Sequence, residues 1–450
     1  MGQRAFNHSN ESIHDEEIAS VADAALCRLL SHLLFKETYT DDLQKARLDC
    51  LPEEILRTCQ LFEMIYRCSK PQITASFERV GPDLLRLLCH IIMHEIQRYT
   101  PFSPNPEFRD EHTSSYESNR PDSKPSAIKK SRREHASEAR HDTCLQSATR
   151  ILFLCARVQS LTEAMAQHAR LVTLCISLIR FPIDVVPFEA QHNALFILAN
   201  MACCRSCVVK LSSHDRLMDT VIQAADQNRE TTVTHKTSWE DYYQPLRFHC
   251  TAFRCLLNLS IPKENKVTMV GKDQLLRSIA YTMGMQTSQW VGIPPTLNEM
   301  ATQTRRFAMS TLRNIASAPS QQKYRICTFD NGIFLDSLCN AAQNDQDLVA
   351  KEKSFAILFN LVCTDTSEIL LLRPQLLELL TDAASLPPQQ QQAGAVRNTQ
   401  LSEMPYQSLV SLNQASNSLS HDARIRLDNA LSQANSSRIP MDEDVHKMLL

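Results

Sequence analysis

The chain has 450 residues, of which 43% are hydrophobic and 22% charged, with a formal net charge of −3. That length can carry a large core or an extended array, and the near-neutral balance excludes a global basic field for nucleic acid or a global acidic one for basic partners. Only 7 residues are Gly and 6% are aromatic, which argues against strand-rich architectures and for helices.

In chain order, residues 1–11 are polar and read as a flexible N-terminus. Helical patterning begins near Ile13 and continues through Val21, Leu26, Leu30 and Leu34, with further helices expected at 52–69 and 82–99. Pro52 and Pro82 sit where helices begin, and Gly81 precedes the second of them. Residues 12–99 thus form an N-terminal helical region that holds degenerate repeats of unfixed register. Residues 100–143 break the pattern with Pro101, Pro104, Pro106, Pro121 and Pro125 among Ser, Asn, Asp and Arg. They read as a disordered insertion. Within it, Lys129-Lys130-Ser131-Arg132-Arg133 fits either a nuclear localisation signal or a solvated loop.

From 144 to 384 the chain is helical and repeats itself. Four stretches share one phase: Ala194 to Ala202, Ala252 to Ser260, Ala308 to Ala316 and Ser354 to Val362. Counted from the central Asn (Asn200, Asn258, Asn314, Asn360), a small residue stands six before and a large apolar one five before. Leu198, Leu256, Leu312 and Leu358 stand two before, and an apolar residue follows. Steps of three and four residues make one stripe of a helix. The Asn lies about 200° around from the stripe's central Leu, at roughly 100° per residue, so it is expected on nearly the opposite face. A fifth copy, Ala148 to Ala156, has Leu154 in the Asn position. The spacings are 46, 58, 56 and 46 residues. After each copy comes a Gly, Pro or polar break, at Ser213, Gly271, Gly332 or Pro374, and then a second apolar helix.

Beyond 384 the composition turns polar, with Pro387-Pro388 and a five-Gln run at 389–393. Residues 385–404 read as linker within a polar C-terminal tail, 385–450. A weak stripe over 405–434 (Leu409, Leu412, Ile425, Leu427, Leu431) marks a possible capping helix.

A period near 40–47 residues with two or three helices per unit belongs to helical solenoids. An apolar helix after Gly, followed by Ala-x-x-x-Leu-x-Asn-Leu-Ala, resembles the second and third helices of the armadillo repeat family. The resemblance covers 144–384 well and 13–99 loosely. It implies an all-α fold: a right-handed superhelical solenoid in which each unit buries its stripe against its neighbours. It also implies a non-catalytic scaffold or adaptor that binds a protein partner, as an extended peptide or a helix, along the concave face.

In peptide-binding members of the family the third-helix Asn bonds the ligand's main chain, because a carboxamide offers a donor and an acceptor together. The resemblance therefore nominates Asn200, Asn258, Asn314 and Asn360, together with Phe196 and Arg254. The competing reading has these Asn bond neighbouring helix ends or face water. The family's import receptors place Trp four residues before the Asn. Here those positions hold Phe196, Arg254, Ser310 and Ala356, which argues against basic import signals as ligands. A second reading is a regulatory or chaperone-like factor embracing a folded partner such as a G-protein α subunit. The near-neutral charge disfavours nucleic acid.

The chain has 16 Cys, several of them inside apolar runs. With no signal-peptide pattern and no apolar run near the ~18–20 residues of a membrane span, they read as reduced thiols of a cytosolic or nuclear protein. Cys203-Cys204-Arg205-Ser206-Cys207 has one-turn spacing, with His192 and His214 nearby in sequence, but lacks the second ligand pair of a structural zinc site. Buried thiols are the expectation there, and no metal or cofactor is expected. No phosphate-binding glycine loop, HExxH or GxSxG occurs, so no enzyme is expected. Both Trp residues, Trp239 and Trp290, fall in the long connections before the third helices.

Overall fold

The computed structural model describes residues 145–181, 186–214, 216–226, 240–285, 294–385, 396–415 and 419–438, with scattered positions between 85 and 96. The helices expected at 13–34 and 52–69, the 100–143 insertion with its basic run, both Trp residues, and the tail beyond 438 lie outside them. Of the helix expected at 82–99, Leu85, Leu88, Cys89, Ile91, Ile92 and Ile96 are described, and all are helical and buried. The protein is all-α, and among the described residues there is no strand. It divides into two compact units, Met1–Thr220 and Val221–Leu450.

In chain order the helices are α1 (Leu145–Cys155), α2 (Gln159–Gln167), α3 (Ala169–Arg180), α4 (Phe188–Cys203), α5 (Arg205–Ser212) and α6 (Leu217–Asp226). They continue as α7 (Glu240–Leu259), α8 (Lys263–Val270), α9 (Asp273–Met283), α10 (Pro295–Ile315), α11 (Ser320–Thr328) and α12 (Ile333–Asn344). The last are α13 (Leu348–Leu361), α14 (Thr364–Leu371), α15 (Pro374–Ala384), α16 (Val396–Gln414) and α17 (His421–Arg438). From α2 to α16 they fall into triplets. A first helix of 8 or 9 residues (α2, α5, α8, α11, α14) precedes a second of 10 to 12 (α3, α6, α9, α12, α15) and a third of 14 to 21 (α4, α7, α10, α13, α16).

The short first helices escape periodicity because each buries only a few residues, such as Cys207, Val208 and Leu211 in α5 and Ile326 and Cys327 in α11. Eight residues are barely two turns, too few for a stripe to stand out.

Unit 2 shows how the triplets join. Third helices pack on third helices (α7 on α10, α10 on α13, α13 on α16), second on second (α9 on α12, α12 on α15), and first on first (α8 on α11, α11 on α14). The repeated stripe makes this possible. Its small residues, Ala252, Ala308 and Ser354, are wholly inaccessible (0%), as are Ala148 and Ala194 in unit 1. A small side chain there lets helices approach closely, while Leu256, Leu312 and Leu358 fill the space beyond. In unit 1, α3 packs on α4, and α2 on α3, α4 and α5.

Local chemistry sets the boundaries. Pro295 and Pro374 stand at the first positions of α10 and α15. Asp347 caps α13, its carboxylate accepting the Val349 N–H at 3.0 Å. Asp330, Asn331 and Gly332 all take positive φ (44°, 57° and 85°) and turn the chain from α11 into α12. Gly332 also lies against the Arg373 guanidinium, and it is the positive φ that calls for Gly.

The C-terminal region departs from expectation. α16 begins at Val396, inside the stretch read as linker, and is the third helix of a fifth triplet. Ser408, Leu409 and Leu412 are buried in the register of the earlier copies, with Gln414 in the Asn position, 54 residues after Asn360. Pro405 stands just before this copy, inside α16, and reads in sequence as a break. α17 packs on α15 and α16. It buries Leu427, whereas Ile425 is 46% exposed and so does not belong to the buried stripe.

Candidate functional site

The nominated residues fall in both units. In unit 1, Asn200 is buried (8% exposed) in α4, where twelve of the sixteen residues are buried. The expectation that it faces away from the core is corrected there: burial extends around most of the circumference of α4 and takes in the Asn position. Phe196 is half-buried, its ring 4.4 Å from that of Phe153, centroid to centroid, and it completes an aromatic pair instead of standing open. Arg150 lies over the other partner, 4.6 Å from the Phe153 centroid.

In unit 2, Asn258, Asn314 and Asn360 are half-exposed on α7, α10 and α13. Their amides do different things. Asn258 Nδ2 donates to the Arg254 carbonyl of its own helix at 3.1 Å. Asn314 Nδ2 donates across to α7, to the Leu257 carbonyl (3.4 Å), and to Ser260 Oγ (3.0 Å). Asn360 Nδ2 donates across to α10, to the Arg313 carbonyl at 2.9 Å. Each inter-helix carbonyl acceptor belongs to the residue just before the previous Asn.

Helix-end geometry explains the choice of acceptor. At the end of α10, Ala316 N–H bonds Leu312 O, but Ser317 N–H bonds Asn314 O. The ladder tightens from four residues to three, and Arg313 O is passed over. At the end of α7, Ser260 N–H bonds Leu256 O and Ile261 N–H bonds Asn258 O, so Leu257 O is passed over likewise. The Asn of each following third helix supplies the missing donor.

A group that the sequence did not single out stands beside these Asn. Lys353 Nζ donates to Ser310 Oγ at 2.6 Å, bridging α13 to the residue four before Asn314. Burial, with Arg313 beside it, pulls Lys353 below the ordinary lysine range, while Glu352 and Asp347 oppose that. Arg313 is exposed, and Arg254 is half-exposed on α7. Arg306 makes a two-pronged bond to Asp347, Nε to Oδ2 at 2.7 Å and Nη2 to Oδ1 at 2.8 Å. Arg305 is paired with Asp345. The α10–α13 face therefore carries Arg306, Arg313 and Lys353 against Asp347 and Glu352. A lone sequence did not reveal this because Lys353 and Ser310 are 43 residues apart.

The described cysteines, Cys89, Cys155, Cys175, Cys203, Cys204, Cys207, Cys250, Cys255, Cys327, Cys339 and Cys363, are in no disulfide. Burial pushes the thiols of Cys89 and Cys327 up to about 12. In the cluster after α4 only Cys207 is buried. Cys204 is half-exposed and Cys203 exposed, which corrects the expectation of buried thiols, because the chain turns there from α4 into α5. Among the described residues, no three His, Cys, Asp or Glu side chains are placed to share a metal ion. No described single helix is long and apolar enough to cross a membrane.

No family model matches the chain, and no curated protein matches it. Among solved structures it is similar to two engineered proteins from the Northeast Structural Genomics Consortium. One is 15% identical, covering 66% of this chain and 92% of that one, with a TM-score of 0.33. The other is 13% identical, covering 92% of this chain and 98% of that one, also with a TM-score of 0.33.

Proposed function

We propose that the helical triplets form an armadillo-type right-handed solenoid and that the protein is a non-catalytic scaffold. In this reading the face made by α7, α10 and α13 holds an extended segment of a protein partner. The supporting observation is the row of half-exposed Asn258, Asn314 and Asn360 on successive third helices that pack on one another. The bond to Arg313 occupies one N–H of Asn360, which leaves a second N–H and the amide oxygen to meet a peptide unit, while the two bonds of Asn314 Nδ2 leave its oxygen as the acceptor.

The test separates binding from architecture. Asn258 Nδ2 bonds the Arg254 carbonyl of its own helix, and helical circular dichroism reports whether Asn258→Ala leaves the fold intact. A peptide-display selection on the full chain, followed by titration of the recovered peptides, is expected to show affinity at least about tenfold weaker for Asn258→Ala combined with Arg313→Glu, a loss of about 1.4 kcal/mol. Helical circular dichroism is expected to be unchanged. Peptides that bind the double variant as well as the wild type, or no recovered peptide at all, sink the reading.

A further inference from the structure

The turn between α4 and α5 holds a pair of thiols that the scaffold reading does not use. Cys204 is the N-cap of α5, and Cys207 is its third residue. N-cap and third-residue side chains face each other across a helix's first turn, which is the geometry of a capping box. The protein shows the same arrangement in its last triplet. There the N-cap Cys363 reaches the third residue of α14, with Cys363 Sγ 3.3 Å from Thr366 Oγ1. In α5 the partner at that position is a second cysteine.

The surroundings are polar. Ser206 Oγ lies 3.1 Å from Cys204 Sγ and 3.6 Å from Cys207 Sγ, so one hydroxyl touches both sulfurs. Glu163 of α2 sits opposite. Its Oε1 accepts from Ser206 Oγ at 3.1 Å and from Cys204 Sγ at 3.5 Å. Cys204 is half-exposed and Cys207 buried, so a reagent from solution meets Cys204 first. A disulfide needs Cβ atoms about 4 Å apart. Cys204 is an N-cap with extended backbone outside the helical ladder, and the Ser206 hydroxyl shared by both sulfurs places them on the same side of the turn.

We propose that Cys204 and Cys207 are a reversible dithiol–disulfide site whose reaction partner is a low-molecular-weight disulfide such as oxidised glutathione. The Cys204 thiol gives its proton to the Glu163 carboxylate, and the sulfur attacks one sulfur of the incoming disulfide. That S–S bond breaks, a mixed disulfide forms on Cys204, and the first thiolate leaves and takes up the proton. The Cys207 sulfur then attacks Cys204 Sγ, loses its own proton, and expels the second thiol. Two protein thiols give up two electrons and two protons, and the small disulfide becomes two thiols. Burial, partly opposed by the Ser206 hydroxyl, holds the Cys207 thiol above its ordinary range. That accords with Cys207 as the second sulfur to react.

Arg205 lies between the two cysteines, so trypsin cleaves between them and only a disulfide keeps the two peptides together. The full-length protein is equilibrated in glutathione buffers of graded ratio, acid-quenched, alkylated and digested. The linked pair is expected in the wild type and in Cys203→Ser, with helical circular dichroism retained throughout. It is expected to vanish in Cys204→Ser, where serine remains a good N-cap, and in Cys207→Ser. Glu163→Gln is expected to reach the same final extent more slowly. Loss of the link in Cys203→Ser, a link seen only after denaturation, or a link between chains overturns the proposal. An unchanged rate in Glu163→Gln overturns the proton-accepting role of Glu163.

Discussion

Asn360 donates its side-chain amide to the backbone carbonyl of Arg313, 47 residues earlier, at 2.9 Å. The carbonyl it meets is one that its own helix leaves without a backbone donor. Asn314 repeats the relationship one triplet before, toward Leu257. The repeated Asn is thus part of the mortar between triplets as well as a feature of the exposed face.

That dual role has a measurable consequence for stability. Asn360→Ala leaves the Arg313 carbonyl without its side-chain donor and is expected to lower stability by about 1 kcal/mol. Urea unfolding followed by circular dichroism measures it. A variant as stable as the wild type would show that the inter-triplet bond carries no weight.

Asp347 joins two tasks in one carboxylate. It caps α13 through Val349 N–H and clamps Arg306 of α10. Burial works against its ionisation, but the Arg306 bonds and the Val349 N–H outweigh that and hold its pKa below the usual carboxylate value. A depressed folded-state pKa gives stability that is complete above the unfolded value, near 3.9, and is lost as pH falls below it. Asp347→Ala is expected to destabilise by about 2 kcal/mol at neutral pH. It should also flatten the acid limb of the unfolding profile below pH ~4. A variant as stable as the wild type at pH 7 contradicts this.

His249 points the other way. It lies buried in α7, its Nε2 2.9 Å from Thr282 Oγ1 on α9. The Thr282 hydroxyl donates to Ser278 O at 2.7 Å, so its oxygen accepts the imidazole N–H. Burial lowers the His249 pKa from 6.5 to about 4, with the Ala225 backbone and Asp226 pulling only weakly upward. The folded protein therefore binds fewer protons than the unfolded chain between those values. The contribution of His249 is intact above pH ~6.5 and drains away as pH falls toward about 4, a change on the order of 3 kcal/mol. Unfolding free energies measured across this range should show that slope in the wild type and a shallower one in His249→Leu. Parallel profiles would rule it out.

Much of the core was legible because a helix stripe is a local property. Ala252, Leu256, Ala308 and Leu312 are spaced by helix geometry alone, and every one of them is buried. The short helices α5, α8, α11 and α14 and the copy in α16 were not legible. The former bury too few residues to make a pattern, and the latter is preceded by Pro405 and carries Gln414 where Asn is expected. The exposed character of Cys203 and Cys204 was hidden as well. Cysteine in an apolar context reads as core, and only the turn into α5 brings those two sulfurs toward solvent.

What the amino-acid sequence determined by itself is helicity, the phase of the buried stripe and the identity of the residue beside it, because each follows from steps of three and four along one chain. What only the tertiary structure decided is the use of that residue. Whether an Asn amide meets water, a ligand or a stranded carbonyl depends on which helix lies across from it. In the cases of Asn314 and Asn360, that helix ends some fifty residues away in the chain, at a carbonyl its own ladder had passed over.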